Sequence, residues 1–221
     1  MSLPEQLRNV LPAETVTAWE LLAPVIPAPA YLAGGTAIAV HLGHRVSHDL
    51  DFFYHRNAID LDELARTIET VGPFAITMRA PGTLTGLFLR TKIQFLHADQ
   101  IAPQRFLMQP IEVSGLRVAG LDDLLAMKLK VVGDRGELRD YFDLMTIEQR
   151  AGRSVEEGLQ LFLARFQPEY PQDALGHIVR GLGYFDDVEP DDQLPVSRQT
   201  IVDYWTGRHP SVIAALGRTP P

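Results

Sequence analysis

The stretch of sequence that decides the fold runs from Gly34 to Phe53 and reads GGTAIAVHLGHRVSHDLDFF. The glycine pair at its start predicts a turn into a helix over 34–43, and the apolar residues at its end predict a strand over 49–54. Asp49 and Asp51 are two residues apart on that strand. Because successive side chains of a strand alternate between its faces, both carboxylates project from the same side.

The pair formed by Asp49 and Asp51 predicts a metal site. Two carboxylates side by side among apolar neighbours repel each other and lose solvation unless a cation joins them. Mg²⁺ is the usual cation, because one or two carboxylates hold it while substrate phosphates fill its other positions. A strand-end pair exposed to water, or one that caps a turn, is the alternative. A metal site here favours phosphoryl or nucleotidyl transfer.

The glycine pair, Gly34 and Gly35, predicts a phosphate site at the start of the helix that continues with Thr36. A helix N-terminus offers free N–H groups and a partial positive charge, and glycine lets a phosphate approach closely. Because the chain returns as a strand after one short helix, phosphate and metal can meet. A tight packing turn is the alternative.

Polar side chains also precede the aspartates. A phosphate or nucleotide could use Arg45 and Ser47, although ordinary loop polarity explains them nearly as well. His41 and His44 share a helical face and lie near His48, which makes a zinc site conceivable. Surface histidines are the simpler interpretation of these three residues.

A lysine lies on the apolar face of a later helix. The segment 121–132 reads LDDLLAMKLKVV, and its apolar stripe passes through position 128. An inward lysine either extends its ammonium to the surface or meets an anion. For Lys128 that anion is a triphosphate or, as the structural alternative, a carboxylate. Lys130 falls off the stripe and is expected to be solvated.

Two more aspartates follow on the next predicted helix. Asp140 and Asp143 are one turn apart and share a face. They either form an Arg–Asp network with Arg139 that fixes this helix against the preceding one, or one of them orients Lys128 or an acceptor group. The sequence leaves both interpretations open.

Composition is that of an ordinary folded chain. Its 221 residues are 46% hydrophobic and 22% charged, with no cysteine and a net charge of −8. No window approaches the ~18 apolar residues of a membrane span, and the N-terminus lacks the pattern of a secretory signal. We therefore expect a cytoplasmic protein that is not bound to a membrane. An acidic chain does not bind nucleic acid through its whole surface, although a local basic groove remains open.

The sequence pattern predicts both helices and strands in the first part of the chain and only helices in the second. This order predicts an α+β fold class with a helical C-terminal part. We expect an α+β core over 1–118 and a helical domain over 119–221. The other predicted elements are helices over 13–24, 60–71, 121–132, 137–150, 154–166, 171–182 and 197–216, strands over 74–79, 85–90 and 92–97, and an extended piece over 111–118.

Together, the motifs resemble the DNA polymerase β-type nucleotidyltransferase superfamily and, more narrowly, the AbiEii/AbiGii toxin family. The resemblance covers roughly residues 30 to 210 and is fairly specific as a set, although no single motif is. It rests on Gly34-Gly35-Thr36, Arg45-x-Ser47-x-Asp49-Leu50-Asp51-Phe52, Lys128, and Arg135 followed by Arg139-Asp140-x-x-Asp143-Leu144. A later Leu182-Gly183-Tyr184-Phe185 and Tyr204-Trp205 also look like some members.

The resemblance implies a mixed sheet with helices and the transfer of a nucleoside monophosphate from an NTP to an acceptor, with Mg²⁺ or Mn²⁺. In toxin relatives the acceptor can be RNA, notably tRNA, and a cognate antitoxin restrains the enzyme. The implied metal ligands are Asp49 and Asp51. The implied catalytic set is Asp49, Asp51, Lys128, Asp140 and Asp143, and the implied nucleotide-binding set is Gly34, Gly35, Thr36, Arg45, Ser47, Lys128 and Arg139.

One position departs from the superfamily pattern. Gln94 occupies the place on a later strand where many members carry a third carboxylate, and an amide cannot act as a general base. The base is therefore unassigned, with Asp140 or Asp143 as substitutes. A non-catalytic nucleotide-binding or regulatory protein is one alternative function, and an interaction module that uses the acidic loop at 186–192 is another. Transfer to a small molecule or a protein is also open.

Overall fold

The computed structural model describes residues 3–55, 59–98 and 105–216. Contacts divide the chain into two compact units. The first consists of Met1–Gln104 and Met108–Gly120, and the second of Arg105–Leu107 and Leu121–Pro221. Among the helices in the described ranges, none combines the length and the apolar character needed to cross a membrane.

The first unit contains a mixed sheet that has seven strands in the described residues, in the order β3-β4-β5-β2-β1-β7-β6. The strands are β1 Tyr31–Ala33, β2 Leu50–Tyr54, β3 Phe74–Ala80, β4 Thr83–Phe88, β5 Thr91–His97, β6 Ile111–Val113 and β7 Leu116–Val118. The helices of this unit are α1 Glu5–Arg8, α2 Ala13–Leu22, α3 Gly34–Leu42 and α4 Leu61–Glu69. Asp60 caps α4, and its carboxylate accepts the N–H groups of Asp62 and Glu63 at 2.9 and 3.1 Å.

The extended piece predicted over 111–118 is a hairpin rather than one strand. Val113 pairs with Leu116, and both residues between them have positive φ, 46° at Ser114 and 84° at Gly115. Two left-handed residues make the tight turn whose twist matches that of the flanking strands. The Ser114-Gly115 pair is a turn signal in the sequence, and the prediction of one extended piece overlooked it.

The register of the strands aligns the candidate site residues in one row of the sheet. Antiparallel β1 and β2 pair Ala33 with Asp51, and parallel β2 and β5 pair Asp51 with Gln94. Antiparallel β4 and β5 then pair Gln94 with Thr85. These four residues form one row across the sheet, with their side chains on the same face. Asp49 lies one residue before β2 begins.

The opposite face of the same strands is core. Leu50, Phe52 and Tyr54 alternate with Asp51 along β2 and are buried. The rings of Phe52 and Phe95 stack with centroids 5.0 Å apart. This packing fixes the register, because a shift of one residue would turn Asp51 into the core.

The second unit is helical throughout its described elements. They are α5 Leu121–Asp134, α6 Leu138–Thr146, a π-helical turn Ile147–Ala151 that continues α6, α7 Val155–Phe166, α8 Pro171–Leu182 and α9 Arg198–Leu216. Helix α5 packs against α6, α7 and α8. Gly158 lies against Leu125 and Leu129, and Gly181 lies against the backbone of Val132, so glycines allow α7 and α8 to approach α5 closely.

A buried arginine ties the short segment Arg105–Leu107 to this unit. The Arg165 guanidinium forms an ion pair with Asp123 and donates to the carbonyl of Arg105 at 3.0 Å, and both charged side chains are fully buried. The same carboxylate accepts the N–H of Leu107 at 3.1 Å. This pair was not foreseen from the sequence, because Asp123 and Arg165 lie on different helices.

Glu148 anchors α9 to the π-helical turn. Its carboxylate accepts from the Tyr204 hydroxyl at 2.5 Å and from Arg208 at 2.9 and 3.1 Å. Burial by itself would raise the pKa of Glu148, but the hydrogen bonds from Arg208, Tyr204 and the N–H of Val155 outweigh it and hold that pKa below its ordinary value.

Glu148→Gln is expected to lower the free energy of unfolding by about 2 kcal/mol near pH 7, because it removes charge-assisted hydrogen bonds. A lowered native pKa means that the stabilisation is complete above the unfolded-state value and is lost as pH falls through the native one. Urea unfolding at several pH values should therefore show the difference from wild type shrinking only in acid. The control is Glu69→Gln, which changes an exposed carboxylate. If the stability difference between Glu148→Gln and wild type stayed the same at pH values below the native pKa of Glu148, the stabilising role of the Glu148 carboxylate would be contradicted.

Candidate active site

The glycine turn and the second aspartate of the pair lie against each other. Gly34 follows β1 directly and has a φ of +68°, which favours glycine. A Cβ built on Gly34 would lie 2.7 Å from the Oδ2 atom of Asp51. The antiparallel pairing of Ala33 with Asp51 produces this approach, and it places the carboxylate at the N-terminus of α3.

The second glycine of the turn lies against a cation. A side chain on Gly35 would overlap the guanidinium of Arg45. Arg45 also donates to the carbonyl of Val46 at 3.1 Å. The start of α3 therefore has a carboxylate beside its first glycine and a guanidinium beside its second. A phosphate that shares a cation with Asp51 would meet helix N–H groups and the positive charge of Arg45 at this position.

Gly34→Ala is expected to weaken NTP binding and nucleotide transfer while the rest of the unit folds. The added Cβ meets Asp51, and alanine disfavours the left-handed backbone. We expect NTP affinity and turnover each to fall at least about tenfold, measured by calorimetry and by a transfer assay. Gly43→Ala is a matched control, because Gly43 also has a positive φ, 58°, and its added Cβ would touch nothing within 4 Å. Equal losses in the two variants would contradict a specific role for Gly34.

Thr36 and Ser47 position the segment that carries Asp49. Both side chains are buried, and their hydroxyl oxygens are 2.7 Å apart. Since a carbonyl can only accept, the Thr36 hydroxyl donates to the main-chain carbonyl of Asp49 and accepts from Ser47. The N–H of Ser47 donates to the carbonyl of Val10 at 2.9 Å. These bonds fix the approach to β2 from the α3 side.

The donor set fits magnesium better than zinc. Within the described ranges, no three His, Asp or Glu side chains gather into a group that could hold a metal. His41 instead has its Nε2 atom 2.8 Å from the carbonyl of Ala119. The Asp51 carboxylate lies at the N-terminus of α3, and a hard carboxylate oxygen there suits Mg²⁺, which takes few protein ligands and completes its shell with phosphates and water.

Gln94 lies directly beside Asp51 in the parallel pair of strands. Its amide nitrogen is 3.1 Å from the hydroxyl of Thr85, the next residue in the row. The buried Thr85 hydroxyl therefore holds the Gln94 amide on the side of Asp51 away from the glycine turn. Sequence reasoning singled out Gln94 but missed Thr85, whose relevance depends on the register of β4 and β5.

In the second unit the structure brings Lys128, Asp140 and Asp143 together. The Lys128 ammonium is 2.5 Å from the Oδ1 atom of Asp140 and 2.9 Å from the Oδ2 atom of Asp143. All three side chains are at least nine-tenths buried. Asp140 also accepts the N–H of Glu137 at 2.9 Å, which completes a capping box at the start of α6.

Two neighbours of this cluster have other roles. Arg139 does not join it but pairs with Glu137 at 2.5 Å and is half exposed, so the Arg–Asp network considered from the sequence is wrong. Burial, with the negative charges of Asp187 and Asp140, raises the pKa of Tyr141 to about 12. Tyr141 therefore keeps its proton, and its hydroxyl lies 2.9 and 3.2 Å from the carbonyls of Gly181 and Tyr184.

The fold is shared with two solved structures, one of which is a nucleotidyltransferase toxin. JHP933 from Helicobacter pylori is similar with a TM-score of 0.57 and 20% identity, over 98% of this chain and 96% of that one. MenT4, a nucleotidyltransferase toxin from Mycobacterium tuberculosis H37Rv, is similar with a TM-score of 0.57 and 17% identity, over 95% of this chain and 87% of that one. These likenesses confirm the predicted fold class: a mixed sheet with helices followed by a helical part.

A comparison of the sequence with protein families shows which family the chain belongs to. The family described as nucleotidyl transferase AbiEii toxin, type IV toxin–antitoxin system, matches residues 23–201. The chain belongs to this family of nucleotidyltransferases, which confirms the family and the enzyme class predicted from the motifs. The uncharacterized protein aq_aa25 of Aquifex aeolicus (strain VF5) is 28% identical over 176 residues, which are 79% of this chain and 80% of that protein.

Proposed function

We propose that this enzyme transfers a nucleoside monophosphate from an NTP to a tRNA, with Mg²⁺ held by Asp49 and Asp51, and that it acts in the cytoplasm as the toxin of a toxin–antitoxin pair. The observation that carries the proposal is the close approach of Gly34 to Asp51 and of Gly35 to Arg45. A site for metal and a site for phosphate coincide there.

Each residue of the first unit has a defined part in this proposal. The N–H groups at the start of α3 and the guanidinium of Arg45 bind the triphosphate, and the glycines leave room for it. Thr36 and Ser47 hold Asp49 in place through the hydrogen bonds described above. Bound Mg²⁺ would neutralise charge on the phosphates as the leaving group departs, so the protein needs little covalent chemistry.

The catalytic roles of Lys128, Asp140 and Asp143 stay predictions of the family resemblance. Within the second unit these three side chains pair with one another, so two carboxylates already meet the charge of the Lys128 ammonium. Arg139 is exposed and available for nucleotide binding only through exchange with its partner Glu137.

Incubation with each α-labelled NTP, Mg²⁺ and total tRNA tests the reaction. We expect label in tRNA with one or more NTPs, and none when EDTA removes the metal. Label in a small molecule or protein from cell extract instead of tRNA would overturn the choice of acceptor. Absence of transfer to any acceptor, together with absence of NTP binding, would overturn the site.

The toxin role has a separate test. Induced expression of wild type should stop growth of its host cell, and Asp51→Asn should not. Co-expression of the cognate antitoxin should restore growth. Normal growth with active wild-type enzyme would contradict a toxin role while leaving the transfer reaction intact.

A further inference from the structure

Asp49, the first aspartate of the pair, lies outside the strand pairing that holds Asp51. Among the strand pairs of the described residues, β2 pairs with β5 from Leu50 onwards and with β1 only at positions 51–53. The backbone of Asp49 therefore depends on contacts other than the hydrogen bonds of the sheet. Those contacts decide whether its carboxylate can share one metal ion with that of Asp51.

Each of residues 47–49 has a main-chain group held by another part of the chain. The hydrogen bonds at positions 47 and 49 are those of Val10 and Thr36 described above. At the position between them, the carbonyl of His48 accepts from the hydroxyl of Thr15 at 3.1 Å. Two of the three contacts, those of Val10 and Thr15, thus come from the segment that precedes the first strand.

The Thr15 hydroxyl belongs to a buried chain of hydrogen bonds. Thr15 lies on α2 and is fully buried. Because a carbonyl can only accept, the Thr15 hydroxyl donates to His48 and accepts from a second hydroxyl. That second group is the hydroxyl of Thr91, which is buried at the start of β5 and has its Oγ1 atom 3.5 Å from that of Thr15. Thr91 thus orients the Thr15 proton towards the His48 carbonyl.

We propose that Thr15 is a positioning residue of the transfer site, which holds Asp49 where it can share a metal ion with Asp51. This inference rests on the proposed function, in which the two carboxylates bind Mg²⁺. Thr15 contacts neither metal nor substrate and acts through the peptide that joins His48 to Asp49. Position 15 precedes the range 23–201 that matches the family, so membership of the family assigns it no role.

Manganese binding by Thr15→Val separates positioning from stability. Valine keeps the size of the side chain and removes the hydroxyl, and Thr15→Ser keeps the hydroxyl. Thr17→Val is the matched control, because Thr17 is exposed on the same helix and donates to the carbonyl of Ala13 at 2.9 Å. Mn²⁺ is titrated by electron paramagnetic resonance with each of the four α,β-methylene NTP analogues, at a temperature where circular dichroism shows every variant folded.

Positioning and stability predict different results in this titration. We expect Thr15→Val to weaken Mn²⁺ binding about tenfold, and Thr15→Ser and Thr17→Val to stay within about twofold of wild type. Unchanged affinity in Thr15→Val, or equal losses in Thr15→Val and Thr17→Val, would overturn this inference and leave the metal site intact. If the wild-type enzyme bound no Mn²⁺ with any analogue, the proposed function would be overturned, and the positioning role with it.

Hydrogen exchange gives a second readout that needs neither metal nor turnover. In Thr15→Val the amides of residues 47–49 should exchange about tenfold faster than in wild type, and in Thr17→Val they should not. Should Thr15→Val fail to fold, Thr91→Val takes its place, since it keeps the donor to His48 and removes the hydroxyl that orients it. A smaller loss of Mn²⁺ affinity is then expected. Unchanged exchange at 47–49 in the folded variant would overturn the inference.

Discussion

Asp51→Asn is expected to lower the rate of nucleotide transfer by about 10³-fold or more, since it removes a charge from the proposed metal and phosphate site. The carboxylate lies beside Gly34, next to Gln94 in the sheet, and at the N-terminus of α3. Asparagine keeps the size of the side chain, so β2 retains its register. The measurement is the initial rate of label transfer at saturating NTP.

The control for Asp51→Asn is Glu69→Gln, which changes an exposed carboxylate of the same unit. Circular dichroism and the thermal midpoint should be close to wild type in both variants. A folded Asp51→Asn enzyme with more than a tenth of wild-type activity would contradict the assignment of Asp51 as an essential metal ligand.

Lys128→Met is expected to lower the free energy of unfolding by about 3–5 kcal/mol, because it leaves the buried carboxylates of Asp140 and Asp143 without this ammonium. The ammonium is within 3 Å of a carboxylate oxygen of each. Urea unfolding followed by circular dichroism measures the loss. Adding Asp143→Asn should restore part of the stability, since one of the two charges is then gone.

Lys130→Met is the matched control for Lys128. Lys130 lies two residues further along α5, is exposed, and pairs with Asp134 at 2.5 Å. A pair at the surface contributes at most about 1 kcal/mol. Equal losses of stability in the two variants would contradict the buried cluster as a stabilising element of the second unit.

The local elements could be predicted from the sequence because each follows from a periodic pattern. The alternation of Asp49, Asp51 and apolar residues predicted a strand over 49–54 with both carboxylates on one face. The strand β2 spans Leu50–Tyr54, so Asp49 precedes it and the shared face stays a prediction. The apolar stripe of 121–132 predicted that Lys128 points inward and that Lys130 does not. The structure shows Lys128 buried and Lys130 exposed.

The contacts that assemble the site depend on register, which a single sequence does not encode locally. The contact of Gly34 with Asp51 requires the pairing of β1 with β2, and the row from Asp51 to Thr85 requires two further pairings, of β2 with β5 and of β5 with β4. Carboxylate pairing was one of two anions considered for Lys128, and the structure shows it. An Arg–Asp network with Arg139 was one of two interpretations of the aspartates, but Glu137 at the helix start is the partner of Arg139.

The most direct test of the central claim compares α-labelled with γ-labelled NTP as donors to tRNA under identical conditions. Nucleotidyl transfer at the turn of Gly34 and Asp51 predicts that tRNA gains label from the α-phosphate and that the γ-label is released in pyrophosphate. The Asp51→Asn enzyme should neither label tRNA nor release labelled pyrophosphate. Appearance of the γ-label in tRNA would show phosphoryl transfer and contradict the account. So would α-label transfer that persists undiminished in Asp51→Asn.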